Sequence, residues 1–428
     1  MIKRLFSVAA GIFLMVPFLF SQTSADSITE SEARSIISVL ASDSLRGRGN
    51  GSPDLLKAGL FIGNKFKQYG LQFLPGQLDY YVPFRPFGDD AIPDILEWNE
   101  KPVSADRFLF INPVPGDYQP KKLQDFEVVH LDSGFSEQIL KIYAASSKDL
   151  LVWTSLKQPD GENFFPGSIH IPQGGVQHNF LLVFAEEKPD SLTLTAGKDY
   201  YSGLEYNIVG MLPGKSKPNE VIIFSAHYDH EGIYPYEKED KIMNGANDDA
   251  SGVTALMLLA DYFSLKNSNE RTIIFCAFAG EELGLKGSAS FVNIIHPEKI
   301  TAVINIEMIG VPQYGRKSVF ITGKYFSTLP ALITPGLQKA GLKVKSEPDV
   351  KKRLYQRSDN YSFVQKGIPA HSIMSSDDDD PCYHKPCDEV KRINFTHMTQ
   401  IIRAIAVASQ SLIDGKQTPT RVKVEDLR

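Results

Sequence analysis

Residues 221–229 read VIIFSAHYD, 247–252 NDDASG, 272–282 TIIFCAFAGEE and 301–310 TAVINIEMIG. Three of these begin as apolar runs rich in Val, Ile and Phe: Val221 to Ala226, Thr272 to Ala279 and Thr301 to Ile306. Each is short enough for a buried strand. The fourth, Asn247 to Gly252, opens a helical pattern with Leu256, Leu259 and Phe263. Strands alternating with helices predict an α/β fold, a mostly parallel twisted sheet with helices on both faces. In such sheets sites form at the carboxyl ends of the strands. Those ends carry His227-Tyr228-Asp229, Gly280-Glu281-Glu282 and Glu307, so one histidine and several carboxylates are expected to converge on one crevice. That residue set is the chemistry of a metal site.

The rest of the chain bounds this reading. Its 428 residues can bury one large domain or two ordinary ones, and 42% hydrophobic with 22% charged residues is an ordinary globular balance. Net charge is −6 and no basic stripe appears, which excludes the electrostatic footprint of a nucleic-acid binder. At the start, Lys3 and Arg4 precede an apolar run from Leu5 to Phe20, and Thr23-Ser24-Ala25 offers a small-residue cleavage site. This is the layout of a signal peptide over residues 1–25. An uncleaved anchor is the alternative, but Pro17 and a run short of ~20 residues oppose it. The mature chain is expected to be exported, periplasmic or extracellular, and free of the membrane. Of three cysteines, Cys276 falls in an apolar strand and reads as a small core residue. Cys382 and Cys387 flank His384, and export permits a small disulfide loop there.

Outward from the organising stretch, Thr29 and Glu32 predict a capping box before Ile36, Ile37 and Leu40. The Gly-rich loop Ser44 to Ser52 reads as turns, and Ser52-Pro53 starts a second helix that Gly70 stops. Residues 83–202 hold short β-prone runs between Pro, Gly and Asp turns, a β-rich insertion without a catalytic motif. Tyr206 to Leu212, Ser318 to Thr322, Leu342 to Lys345 and Pro369 to Met374 are further strand candidates. Thr328 to Ala340 and Phe395 to Ile413 are expected helices, and 414–428 a tail. The catalytic domain would comprise 26–82 and 203–413.

His nitrogen and carboxylate oxygen suit zinc, and a carboxylate can bridge two ions. The candidates are His227, Asp248, Glu282, Glu307 and one late histidine. Three carboxylates, two dications and a hydroxide sum to zero charge. Each residue also has a plain structural alternative. His227 could be a loop histidine, Asp248 and Asp249 helix caps, Glu281 and Glu282 first-turn acids. These alternatives do not explain why every such residue follows a strand. The acidic run Asp377 to Asp380 reads as a solvated loop, since it lacks a glycine-turned calcium loop.

The ordered motifs A-H-x-D, N-D-D-A-S-G, G-E-E, N-I-E-M-I-G and Y-H-x-P-x-D resemble the co-catalytic zinc exopeptidase family, which includes bacterial leucyl aminopeptidases, aminopeptidase Y and glutamate carboxypeptidase. Leu45 to Arg48 and Ser358-Asp359 agree, and the resemblance covers about residues 32–82 and 203–413. It implies two Zn2+ per chain and a peptide substrate. Asp248 would bridge both ions, Glu282 and His384 would complete one position, His227 and Glu307 the other. Asp229 would orient His227, and Glu281 would be the general base. It would take a proton from the attacking water and pass it to the leaving amine. Tyr383 is a candidate oxyanion donor. His371, inside an apolar run, reads as a core histidine, and His230 as a neighbour of the site without being a ligand. The family usually has Asp where this chain has Glu307, one methylene longer. The resemblance also implies a cis peptide between Asp248 and Asp249. Same-fold alternatives are a one-zinc glutaminyl cyclase, a carboxypeptidase or amidohydrolase, and a catalytically dead binding ectodomain. Oligomeric state and preferred side chain are not legible.

Overall fold

The computed structural model describes residues 25–427 apart from 87–94, 104–106, 112–119, 132–145, 147, 155–178, 196–203 and 235–238. The expected signal peptide therefore lies outside the described residues. Strands of the main sheet are β1 Tyr81–Phe84, β2 Glu205–Leu212, β3 Lys217–His227, β4 Arg271–Phe278, β5 Ile300–Ile306, β6 Ser318–Ile321, β7 Lys343–Lys345 and β8 Ala370–Met374. Their spatial order is β1-β2-β4-β3-β5-β8-β6-β7. The central strands β4, β3, β5 and β8 run parallel, while β1, β2 and β6 join antiparallel. The parallel sheet expected from the apolar runs is thus the middle of a larger mixed one.

The centre is buried on both faces, which is why its strands read as continuous apolar runs. Successive side chains point to opposite sides. Ile222, Phe224 and Ala226 enter one core with Ile273, Phe275 and Ala277, whereas Val221, Ile223, Ile274, Cys276 and Phe278 enter the other. Helices α1 Glu30–Leu40, α2 Pro53–Gln68, α3 Ala250–Lys266, α5 Leu329–Lys339 and α7 Phe395–Ala408 supply the first core. The short helices α4 Lys286–Phe291 and α6 Asn360–Val364 serve the second. The expected caps form. Thr29 and Glu32 bond each other's backbone N–H, and the Ser52 hydroxyl accepts from the Leu55 N–H. Among the described residues no helix is long and apolar enough to cross a membrane.

Four expectations need adjustment. The boundary at 82/83 cuts β1, which belongs to the main sheet through its pairing with β2. The closing helix is not continuous to Ile413: α7 ends at Ala408, and a short helix Gln410–Ile413 follows. The tail is packed. Arg271 donates to the carbonyl of Gln417 and the hydroxyl of Thr418, and Val422 and Leu427 join the second core. The acidic run is exposed only at Asp379. Asp377 and Asp380 are buried, Lys352 bridges Asp377, Asp378 and Asp379, and Arg392 pairs with Asp380.

In the insertion, Ile95–Trp98, Lys101–Val103, Lys121–Lys122 and Leu192–Thr195 form one four-stranded sheet. Phe108–Ile111, Phe126–His130, Asp149–Thr154 and Phe180–Phe184 form another. Leu96, Trp98 and Leu194 share a core with Leu151, Trp153 and Leu181, so the two sheets pack on each other.

His371 is a core histidine. Its Nδ1–H donates to the Thr322 carbonyl at 2.8 Å, which fixes the tautomer and leaves Nε2 to accept from the Ser327 hydroxyl at 2.7 Å. Burial holds its pKa down, at about 4, against an ordinary 6.5. Between those values the unfolded chain binds a proton that the folded chain refuses, so stability falls as pH drops from 6.5 toward 4. From pH 7 to 5 the wild type should lose about 2 kcal/mol more than His371→Asn, read as unfolding midpoints in urea. Parallel losses in the two proteins would refute this.

Candidate metal centre

Every candidate side chain sits where the central strands end. His227 is the last residue of β3, Glu281 and Glu282 follow β4, Glu307 follows β5, and His384 lies in the loop after β8. Asp248 precedes α3, whose N-cap is Asp249. The Asp249 carboxylate accepts from the N–H groups of Gly252 and Met308, each at 3.0 Å, tying the helix start to the turn after Glu307. A side chain at Gly252 would run into the Ile306 carbonyl and this carboxylate, so the N-D-D-A-S-G motif requires glycine there. Asn247 completes the tie, accepting from the Gly310 and Val311 N–H groups. The peptide between Asp248 and Asp249 is cis, as the resemblance implied. Glu281 and Glu282 are not first-turn acids. They occupy a turn that precedes α4, in which the Glu281 carbonyl accepts from Gly284 and Leu285.

Asp248 is the hub. Its Oδ1 lies 3.1 Å from His227 Nε2, and its Oδ2 lies 3.3 Å from His384 Nε2. Glu282 Oε2 lies 3.2 Å from the same His384 nitrogen. Donor atoms of His227, Asp248 and Glu307 form a second group within 4.8 Å of one another, and His227, Glu281 and Glu282 a third. The Glu307 carboxylate is anchored at Oε2 by the Ser358 hydroxyl and by the Asn305 amide at 3.3 Å. Its extra methylene is thereby held.

The histidine tautomers follow from their outer partners. His227 Nδ1–H faces the Asp229 carbonyl at 3.1 Å, with the Asp229 carboxylate farther off at 3.6 Å. The Asp229 backbone is therefore the nearer orienting group, in place of the expected carboxylate. That carboxylate accepts from the Asn50 amide at 2.8 Å and the Glu282 N–H at 3.2 Å. His384 Nδ1–H faces Glu231 at 3.1 Å, and Tyr383 stacks on its ring. Both Nε2 lone pairs thus point at carboxylate oxygens, and buried His384 Nε2 has no hydrogen-bond partner. Electron-pair donors facing one another need a proton or a metal cation between them. Separations of 3.1–3.3 Å match the roughly 3.3 Å edge of a tetrahedron with ~2.0 Å zinc bonds. The donor set fits zinc.

The electrostatics agree. Burial pushes the Glu281 carboxyl well up, and Glu282, Glu307 and Asp359 add to it against the pull of His227. Burial likewise raises Glu307 to about 7. Burial and the neighbouring Asp248 oppose ionisation of Glu282 as well, but the imidazoles of His230 and His384 beside it outweigh them and hold that carboxyl at about 2.

Several supporting residues carried no assigned role in the sequence reading. Arg48, fully buried, donates to the carbonyls of Leu40, Tyr228, Asn244 and Gly245 at 2.7–3.0 Å. Asn50 bridges the Asp229 carboxylate and the Gly280 N–H. Asp388 accepts from the N–H groups of Asn247 and Asp248 at 3.0–3.1 Å. The polar residues Arg48 and Asn50 amid the glycines of residues 44–52 were the available signal. Cys382 and Cys387 are disulfide-bonded around His384.

An α/β sheet whose central strand ends gather histidines and carboxylates around a shared aspartate is the arrangement of a candidate metal centre. The family model described as Peptidase family M28 matches residues 207–409. The co-catalytic zinc exopeptidase resemblance fits it. The chain is 22% identical over 305 residues to aminopeptidase YwaD of Bacillus subtilis, covering 68% of this chain and 63% of the relative. It is 28% identical over 243 residues to leucine aminopeptidase 1 of Trichophyton rubrum, covering 51% and 64%. The chain thus spans under two thirds of the length of these curated relatives. The solved structure of BSAP, a zinc aminopeptidase from Bacillus subtilis, shares the fold at TM-score 0.56 and 18% identity, over 91% of this chain and 96% of that one.

Proposed function

We propose that this chain is an exported zinc-dependent aminopeptidase that removes N-terminal residues from peptides. The observation carrying the reading is the two-sided engagement of Asp248, one oxygen toward His227 and the other toward His384. His227, Asp248 and Glu307 would hold one zinc, and Asp248, Glu282 and His384 the other. When bound, the ions supply Lewis acidity toward the scissile carbonyl and the attacking water. Glu281, beside the donor set and not needed to complete either position, takes the proton from that water and delivers it to the leaving amine. Glu231 and the Asp229 carbonyl keep the two histidines in the tautomer that presents Nε2 inward. Export is supported by the basic and apolar pattern of residues 1–25 and by the Cys382–Cys387 bond, which suits an oxidising compartment.

The testing experiment is a substrate panel. Aminoacyl-anilides and free-amine peptides should be cleaved, and the same peptides with blocked amines should resist. Preference for blocked peptides, or cyclisation of N-terminal glutamine with one zinc per chain, would replace this reading by one of its same-fold alternatives.

A further inference from the structure

The imidazole of His230 lies against the candidate centre, and the motifs that mark the ligands give it no part. Its side chain is fully buried, and Nδ1 stands 3.0 Å from Glu282 Oε1. The other Glu282 oxygen, Oε2, is the one that faces His384 Nε2. Two fixed surfaces set the ring. The His230 N–H bonds the Arg48 carbonyl at 3.2 Å. Gly245, in the left-handed region at φ +56°, leaves the ring its room: a Cβ there would stand 2.5 Å from His230 Cδ2 and 2.6 Å from Cγ. Arg48 also donates to the Gly245 carbonyl at 3.0 Å, so one buried residue holds both walls of the ring's slot, one through its backbone carbonyl and the other through its guanidinium.

Resting on the zinc reading above, we infer that His230 is a positioning residue, which donates its Nδ1–H to Glu282 Oε1 and so turns Oε2 toward the metal position shared with Asp248 and His384. Ligation by His230 itself fits the distances less well. His230 lies within 4.8 Å of the donor atoms of Asp248, Glu282 and His384, but its Nδ1 is 3.9 Å from Asp248 Oδ2, beyond the roughly 3.3 Å edge of a tetrahedral zinc site that the His227–Asp248, Asp248–His384 and Glu282–His384 pairs keep. A carboxylate acting through one oxygen needs its other oxygen satisfied, and a buried ligand's outer partner sets both its orientation and its basicity. The adjacent acids are separated by this bond. Glu282 is locked as a ligand, while Glu281, beside His227 and Glu282, keeps its carboxylate available for proton transfer.

The test compares His230→Asn with His230→Leu. An Asn side chain places its amide N–H near the position of the His Nδ1–H, whereas Leu fills the slot without a donor. Zinc binding to the metal-free full chain would be measured by competition with a chromogenic chelator, alongside the melting curve of each metal-free variant. Wild type and His230→Asn should bind both ions alike. His230→Leu should keep one ion and bind the other ~10–100-fold more weakly. Unchanged binding in His230→Leu would reduce His230 to packing, and equal loss in both variants would make the imidazole a ligand; either overturns the inference. If His230→Leu does not fold, His230→Ala carries the same comparison. Failure of the wild type to bind two ions would instead refute the zinc reading on which this rests.

Discussion

Glu281→Gln should lower kcat by at least ~100-fold while the chain keeps its full zinc complement and nearly its normal substrate affinity. Gln preserves the size and reach of Glu but cannot accept a proton. General-base catalysis is typically worth 10²–10⁴-fold, or roughly 3–5 kcal/mol of barrier. The structure supports a division of labour between the neighbours. The Glu281 backbone is fixed in the turn after β4 by two N–H donors to its carbonyl, so its side chain leaves a rigid base. Glu282 is held from one side by His230 and faces His384 on the other. Glu282→Gln should therefore lose zinc before anything else, because the amide weakens a ligand whose charge helps offset the dication. Metal content measured beside kcat separates the two. Zinc loss in Glu281→Gln, or near-normal turnover, would show that the roles are misassigned.

Chelation should abolish activity and also lower the melting temperature, by an amount on the order of 5–10 °C. Asp229, Asp248, Glu281, Glu282 and Glu307 share one crevice, and the ion pairs among the described residues there are all with histidines. The buried cation Arg48 spends its guanidinium on backbone carbonyls. Without metal the carboxylates repel one another, and protons must substitute. Ions that bind only the folded chain stabilise it by about 4 kcal/mol at a free concentration 1,000 times Kd. In a chain of this size each kcal/mol moves the midpoint by roughly 2 °C. Calorimetry with and without chelator at matched ionic strength reads the effect. Lost activity with an unmoved curve would mean that the metal is peripheral to the fold.

Much of the architecture was legible because the decisive signals are local. Each central strand is a short apolar run, and each candidate ligand stands within a few residues of a strand end or helix start. His227, Asp248, Glu282 and Glu307 could be placed from that adjacency. His384 needed more, since its loop follows β8 by ten residues; the Y-H-x-P-x-D pattern and the apolar run around His371 together singled it out. What was not legible depends on distant partners. Asn50 reaches Asp229 across 179 positions, and Arg48 reaches Tyr228 across 180. Only the closed fold brings them together, so residues 44–52 read as turns. His230 looked like a bystander because its role lies in the geometry of one Glu282 oxygen, which no spacing encodes. The acidic run at 377–380 looked solvated because Lys352, its main partner, lies 25 or more residues away. The break after Ala408 escaped periodicity, since Ser409 keeps the helical phase while its hydroxyl bonds back to the Ile405 carbonyl.

The most direct test of the shared-aspartate centre is zinc content after reconstitution, by elemental analysis of the purified wild type and of Asp248→Ala. Two zinc ions per chain are expected in the wild type, as in two-metal hydrolytic sites, and close to none in Asp248→Ala, because both positions lose the same bridging carboxylate. A wild-type ratio near one, or an Asp248→Ala chain that still holds a full equivalent, would contradict it.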